Sequence, residues 1–185
     1  MWRKANRLAG AQLKHCKERG EWAELYFMMM AAGLGMKVSK PFGDSGRYDV
    51  GVEAHIRESN TRESYIRECD RNATQGRVLR VQVKSTIYKR RGDGYSLNVM
   101  GPQRKKYQPG TVDFFAILLI PIDDWYIIPF EVIGRKNSSL HFTPASKRQK
   151  YGPYREAWHL LQPNPGLTIQ ASSDDQSPED IPQSG

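Results

Sequence analysis

Four side chains in this sequence stand where their polarity does not suit the surroundings that the pattern predicts for them. Glu24 shares an otherwise apolar helical stretch with only one other acid, Glu21. Asp49 lies on the strand face opposite Tyr48 and Val50, and Gln82 and Lys84 share one face of the most regular strand pattern in the chain. Burying a carboxylate or an ammonium is costly unless opposite charge or a metal compensates. Two acids, a carboxamide and a lysine meet that condition when a divalent cation sits among them. The donors on offer are the oxygens of Asp49, Glu24 and the Gln82 carbonyl, the set that hard cations such as Mg²⁺ or Mn²⁺ take. The plainer alternatives are a solvent-facing salt bridge between Asp49 and Lys84, and a Glu24 favoured by the macrodipole at a helix N-terminus.

The elements that must position these groups are legible in the hydrophobic pattern. From Glu21 to Met36, the residues Trp22, Leu25, Tyr26, Met28, Met29, Ala31 and Ala32 cover most of a helix circumference, which predicts a helix buried on most sides and ended by Gly33 and Gly35. Lys37 to Ser39 reads as a short strand. Arg47 to Ala54 reads as a second, with Tyr48, Val50 and Val52 on one face and Asp49, Gly51 and Glu53 on the other. His55 to Gly76 has no usable period and is expected to be a loop or a flexible hairpin extension. Arg77 to Tyr88 alternates Leu79, Val81 and Val83 against Arg80, Gln82 and Lys84, so a strand is predicted there. After the turn chemistry of Arg91 to Gly94, Tyr95 to Val99 is expected to pair back as a hairpin arm. Val112 to Ile120 has the apolar run of a strand buried on both faces, Pro121 to Asp124 turns it, and Trp125 to Val132 returns. Pro153 to Leu161 reads as a closing helix with Tyr154, Trp158 and Leu161 on one side. This order predicts an α/β domain with a central mixed sheet over 20–162, preceded by a basic arm or helix over 1–19. A disordered acidic tail is expected over 163–185, which lacks the apolar content to fold.

Charge narrows the partner. The formal net charge is +8, yet all 28 Lys and Arg lie before residue 156, while Asp174, Asp175, Glu179 and Asp180 fall in the tail. The body is therefore more basic than the total suggests, and a polyanion is the expected partner. Nucleic acid is favoured over an anionic membrane because no long amphipathic basic helix is present. Arg90, Arg91, Arg104, Lys105 and Lys106 interleave with Tyr88, Tyr95 and Tyr107 and are candidates for phosphate contacts; a solvated basic face explains them equally well. No apolar run is long enough to span a membrane, and the first residues lack the apolar stretch of a signal peptide, so a cytoplasmic protein is expected. Cys16 and Cys69 have no partner spacing, and the four histidines are scattered, so neither a disulfide framework nor a zinc site is indicated.

The series Ala23-Glu24, then Pro41-x-Gly43-Asp44-x-x-x-Tyr48-Asp49, then Arg80-Val81-Gln82-Val83-Lys84-Ser85 resembles the PD-(D/E)XK nuclease superfamily over residues 20–135. It is most similar in pattern to the group I intron-associated homing endonuclease branch, which shares a core with archaeal Holliday-junction resolvases. The resemblance implies a restriction-endonuclease-like core in which a helix supplies Glu24, a strand supplies Asp49, and the following strand supplies Gln82 and Lys84 as the catalytic set. It further implies Mg²⁺ or Mn²⁺ at Asp49, Gln82 and Glu24, double-stranded DNA as substrate, and a homo-oligomer. The chain departs from the superfamily pattern at Tyr48, where a Pro is usual, and at Gln82, where an acid is usual. The intron-associated branch carries this Gln-x-Lys form, but Gln82 removes a negative charge from the metal site. It keeps open a catalytically inactive nucleic-acid-binding module of the same fold; a Holliday-junction resolvase is the other alternative. Two further acids have two readings each. Glu53 either lines the cleft beside Asp49 or pairs with Arg80, and Asp44 either reaches the water shell of the metal or serves only its turn.

Overall fold

The valine-rich alternation around Gln82 becomes the middle of the main sheet. In the computed structural model, which describes residues 12–13, 15–42, 47–54, 77–90, 94–101, 104–133 and 138–162, that segment is β3 (Arg77–Thr86). On one side it pairs antiparallel with β2 (Val50–Ala54), which in turn pairs with the short β1 (Lys37–Ser39). On the other side it pairs in parallel with β5 (Phe114–Leu119), and β5 pairs antiparallel with β6 (Asp124–Pro129). The mixed five-stranded order is β1-β2-β3-β5-β6.

Each face of this sheet has its own apolar cluster. On one face Val50, Val52, Val81, Val83, Ala116, Leu118 and Ile127 meet Ala23, Phe27 and Ala31 of α1 (Cys16–Gly33), with Trp125, Trp158 and Leu161 at one side. On the other face Phe115, Ile117, Leu119, Tyr126 and Ile128 meet Tyr95, Leu140, Phe142 and Tyr151. The β5 run is buried on both faces, as its continuous apolar sequence predicts. Tyr26 ties α1 to the β5–β6 turn, where its hydroxyl donates to the Asp123 carboxylate at 2.9 and 3.1 Å. α1 starts at Cys16, earlier than the apolar period reveals, because its first turns carry Lys17, Glu18 and Glu21 rather than core residues. It ends where expected. Gly35 takes φ +81, a left-handed conformation suited to glycine, and its N–H closes on the Ala32 carbonyl at 2.9 Å.

Three expectations are corrected. The chain does turn back after β3, with the Arg90 N–H donating to the Gly94 carbonyl at 2.8 Å and a bridge between Lys89 and Tyr95. However, β4 (Tyr95–Asn98) takes its ladder from β7 (Ser139–Phe142) in a separate two-stranded sheet. Both edges of β3 are already occupied, by β2 and β5, so no ladder position remains for a hairpin arm. The closing segment is two 3₁₀ turns, Gly152–Tyr154 and Trp158–Leu161, rather than one helix. Between them Glu156 sits at φ 50, which breaks any helix, and its carboxylate accepts from the Trp125 N–H at 3.0 Å and the Trp158 indole at 2.9 Å. The returning strand stops at Pro129, and Phe130–Ile133 form the helical turn α2 instead of continuing it. The 55–76 segment and the 163–185 tail lie outside the described residues. No helix among the described residues is long and apolar enough to cross a membrane.

Candidate active site

Asp49 sits immediately before β2 and is held by three successive residues of β3, Val81 to Val83. Its N–H donates to the Val81 carbonyl at 3.0 Å, and its Oδ2 accepts the Val83 N–H at 2.8 Å. The same oxygen accepts a hydrogen bond from the Gln82 side-chain amide. Strand alternation then does the rest: with Val81 and Val83 in the α1-facing core, Gln82 and Lys84 emerge on the opposite face. Gln82 is only 6% exposed, so its carboxamide is a built part of the interior rather than a surface group.

The electrostatics are those of a site with too much buried negative charge. Burial, and after it the charge of Glu24, pushes the Asp49 carboxyl up to about 6, against the pull of the Val83 N–H, Lys84 and Lys40. Burial lowers the Lys84 ammonium, while Asp49 and then Glu24 act to raise it. The three groups therefore sense one another through a poorly screened interior. Because α1 begins at Cys16, Glu24 lies in mid-helix, beyond the reach of the N-terminal dipole, and the plainer reading of it falls away. A solvent-facing Asp49–Lys84 bridge does not fit either, since burial is the chief influence on both groups.

Two neighbours are not placed at these four residues by the sequence pattern. Lys40, just after β1, meets the Glu24 carboxylate at 2.8 Å, and that hydrogen bond is the main cause of its raised pKa. Tyr107 lies with its ring centre 5.7 Å from the Lys84 ammonium and nearly perpendicular to Phe115 at 5.3 Å. Burial, then the charge of Asp49, pushes its phenol well above the usual range.

Glu53 does not pair with Arg80. It faces Lys37 across the β1–β2 register, with 3.9 Å between the charges. Arg80 instead clamps Asp113: its backbone N–H and Nε reach Oδ2 at 2.8 and 2.9 Å, and Nη2 reaches Oδ1 at 2.9 Å. Of the basic candidates, Arg104, Lys105 and Lys106 are exposed on the loop that leads into Tyr107. Arg90 turns to β7, where it donates to His141 Nδ1 at 3.2 Å. Arg91 and Asp44 lie outside the described residues.

The donor set fits a hard dication. Among the described residues no three His, Cys, Asp or Glu gather in one place; the side chains that meet are those of Asp49 and Gln82, while Glu24 acts on Asp49 through its charge. The Gln82 amide nitrogen is spent on Asp49, which leaves the carbonyl as the branch that can serve a cation. Burial and the charge of Glu24 both disfavour the ionised Asp49, a cost that added positive charge would offset.

A family model described as PD-(D/E)XK endonuclease matches residues 72–161, the segment that begins ahead of β3 and includes Gln82, Lys84 and Tyr107. The structure is similar to that of a bacterial homing endonuclease, with a TM-score of 0.57 and 25% identity, covering 80% of this chain and 92% of that one. It is also similar to Hjc, a Holliday junction resolvase from the archaeal hyperthermophile Archaeoglobus fulgidus, with a TM-score of 0.43 and 12% identity, covering 77% and 95%. No curated protein sequence matches significantly.

Proposed function

We propose that this chain, which carries a PD-(D/E)XK endonuclease domain on a restriction-endonuclease-like fold, hydrolyses phosphodiester bonds of double-stranded DNA with Mg²⁺ or Mn²⁺ held by Asp49, Gln82 and Glu24. The observation that carries the reading is the Asp49 carboxylate fixed by the Val83 N–H and the Gln82 amide, with Lys84 on the same strand face as Gln82. A dication bound there supplies Lewis-acid polarisation of the phosphate and a more acidic water. Asp49 contributes full negative charge at a position set by the β3 backbone. Gln82 contributes a neutral oxygen, so the site holds its cation less tightly than three carboxylates would. Glu24 adds charge from α1 and shares it with Lys40. Lys84, partly desolvated, places a positive charge where negative charge grows on the phosphate. We further propose a cytoplasmic enzyme that works as a homo-oligomer, since cutting both strands calls for two active sites.

The direct test is supercoiled plasmid and linear duplex incubated with the purified protein in Mg²⁺ and, in parallel, in EDTA. Nicking or linearisation in Mg²⁺ alone is expected. Protein that cuts no DNA of any form in Mg²⁺ or Mn²⁺ would leave the binding module as the better reading, and a strong preference for four-way junctions would favour the resolvase.

DNA affinity is expected to fall steeply with salt, because every phosphate met by Lys or Arg releases counterions, with a log–log slope of about −0.9 per contact. Reversing the charge of Arg104, Lys105 and Lys106 should shrink that slope by about 0.9 for each one that meets a phosphate. A slope unchanged by the triple reversal means that the loop is only a solvated face.

A further inference from the structure

We propose that Tyr107 is a positioning residue of this site, whose ring face fixes the Lys84 ammonium beneath the basic loop of Arg104 to Lys106. A lysine side chain has four flexible torsions, and its charge is useful at a reacting phosphate only if it is held in one place. Asp49 and Glu24 attract the Lys84 charge without hydrogen bonding to it. The contact that gives the ammonium a location is the Tyr107 ring, 5.7 Å from Nζ to the ring centre. That separation lies within the range in which a cation is drawn to the negative face of an aromatic ring, and partial burial strengthens the attraction.

The ring is itself fixed from two sides. It packs nearly perpendicular to Phe115, a fully buried β5 residue, with 5.3 Å between centroids. On the loop side Gly101 lies against it, and a Cβ there would stand 3.3 and 3.6 Å from ring carbons and 3.3 Å from the Lys105 carbonyl. The same Gly101 donates its N–H to that carbonyl at 2.8 Å, which holds Gly101 and Lys105 together beside the ring. Because burial and Asp49 both oppose loss of the phenol proton, the ring stays neutral and keeps its affinity for a cation. One side chain thus joins the sheet, the lysine and the loop.

The kinetic half of the test rests on the nuclease reading, whereas the spectroscopic half does not. In protein labelled with ¹³C-lysine, the Lys84 methylene protons, assigned by their loss in Lys84→Arg, are expected upfield of ordinary lysine because the side chain ends over the Tyr107 ring. Tyr107→Phe should keep both that displacement and kcat. Tyr107→Leu should return the resonances toward ordinary values and lower kcat about tenfold, with KM and DNA affinity little changed. If Tyr107→Leu does not fold, Gly101→Ala crowds the ring without removing it and should move both readouts in the same direction by less. Lys84 resonances with no upfield displacement in the wild type overturn the proposal, as does Tyr107→Leu that cuts at the wild-type rate. A Tyr107→Phe variant as impaired as Tyr107→Leu overturns it as well, since the hydroxyl would then be what matters. A wild type that cuts no DNA overturns the nuclease reading, and the chemical shift alone then judges the contact.

Discussion

Lys84→Ala is expected to slow cleavage in Mg²⁺ by about 10²- to 10³-fold, while the variant folds and holds DNA almost as well as the wild type. The reason is that its charge acts on the transition state more than on the ground state, so its loss appears in kcat. Stability should suffer little, because burial already opposes the charged ammonium and its removal relieves that cost. Asp49→Ala should take cleavage below detection, since it removes the carboxylate that the Val83 N–H of β3 fixes beside Gln82. Gln82→Ala should be impaired less, because a neutral carboxamide contributes less to holding a dication. Ca²⁺ should support binding without cutting, since it ligates oxygens with looser geometry than Mg²⁺. Single-turnover rates in Mg²⁺, DNA affinity in Ca²⁺ and thermal melts together separate these effects. Lys84→Ala cutting at the wild-type rate would remove it from the site.

Asp49→Asn is expected to abolish activity and yet to stabilise the metal-free protein at pH 8. The folded-state pKa of about 6 lies above the ordinary value of 3.8, so the folded protein holds this proton more tightly than the unfolded chain does. Stability from that proton is fully present below pH 3.8 and is lost as pH rises through 6. At pH 8 the charged carboxylate then costs the fold roughly 1 to 3 kcal/mol, because a tenfold difference in proton affinity between folded and unfolded chain corresponds to about 1.4 kcal/mol. Asparagine keeps the shape and leaves a carbonyl oxygen to accept from the Val83 N–H and the Gln82 amide. In EDTA at pH 8 the melting temperature should rise by several degrees, on the order of 2 to 4 °C per kcal/mol for a domain of this size. The gain should vanish near pH 4, and Mg²⁺ should narrow it by stabilising only the wild type. A variant that melts no higher than the wild type in EDTA at pH 8 would show that Asp49 is not a buried charge in need of a cation.

The parts of this molecule that sequence made legible are those where one local rule decides the outcome. Alternation through Val81, Gln82, Val83 and Lys84 separates core from site by itself, and the β5 run can only be a strand buried twice. Where elements compete, the local rule fails. Tyr95 to Val99 has the pattern of a hairpin arm, but β5 had taken the free edge of β3, a fact that depends on residues far downstream. Glu53 was within reach of two cations by its strand position alone, and the register gave it Lys37 while Asp113 took Arg80. Lys40 and Tyr107 stayed hidden for a similar reason. Lys40 meets a glutamate sixteen positions earlier, and Tyr107 comes to Lys84 from a loop whose basic residues gave no hint of an aromatic contact.

The alternation in β3 also bears on how such a chain can change over time. Core and chemistry are written in a single strand at odd and even positions: Val81 and Val83 face α1, while Gln82 and Lys84 face away from it. Substitution can alter either set alone, so the polar face can diverge while the valines stay. Loss or gain of one residue within the strand cannot act on one set alone, because a displacement by one sends every side chain beyond it to the opposite face. Lysine would then point into the apolar cluster and valine toward the Asp49 carboxylate. Viable descendants of this sequence should therefore vary β3 in letters and never in length, and carry their insertions and deletions in the connections on either side of it.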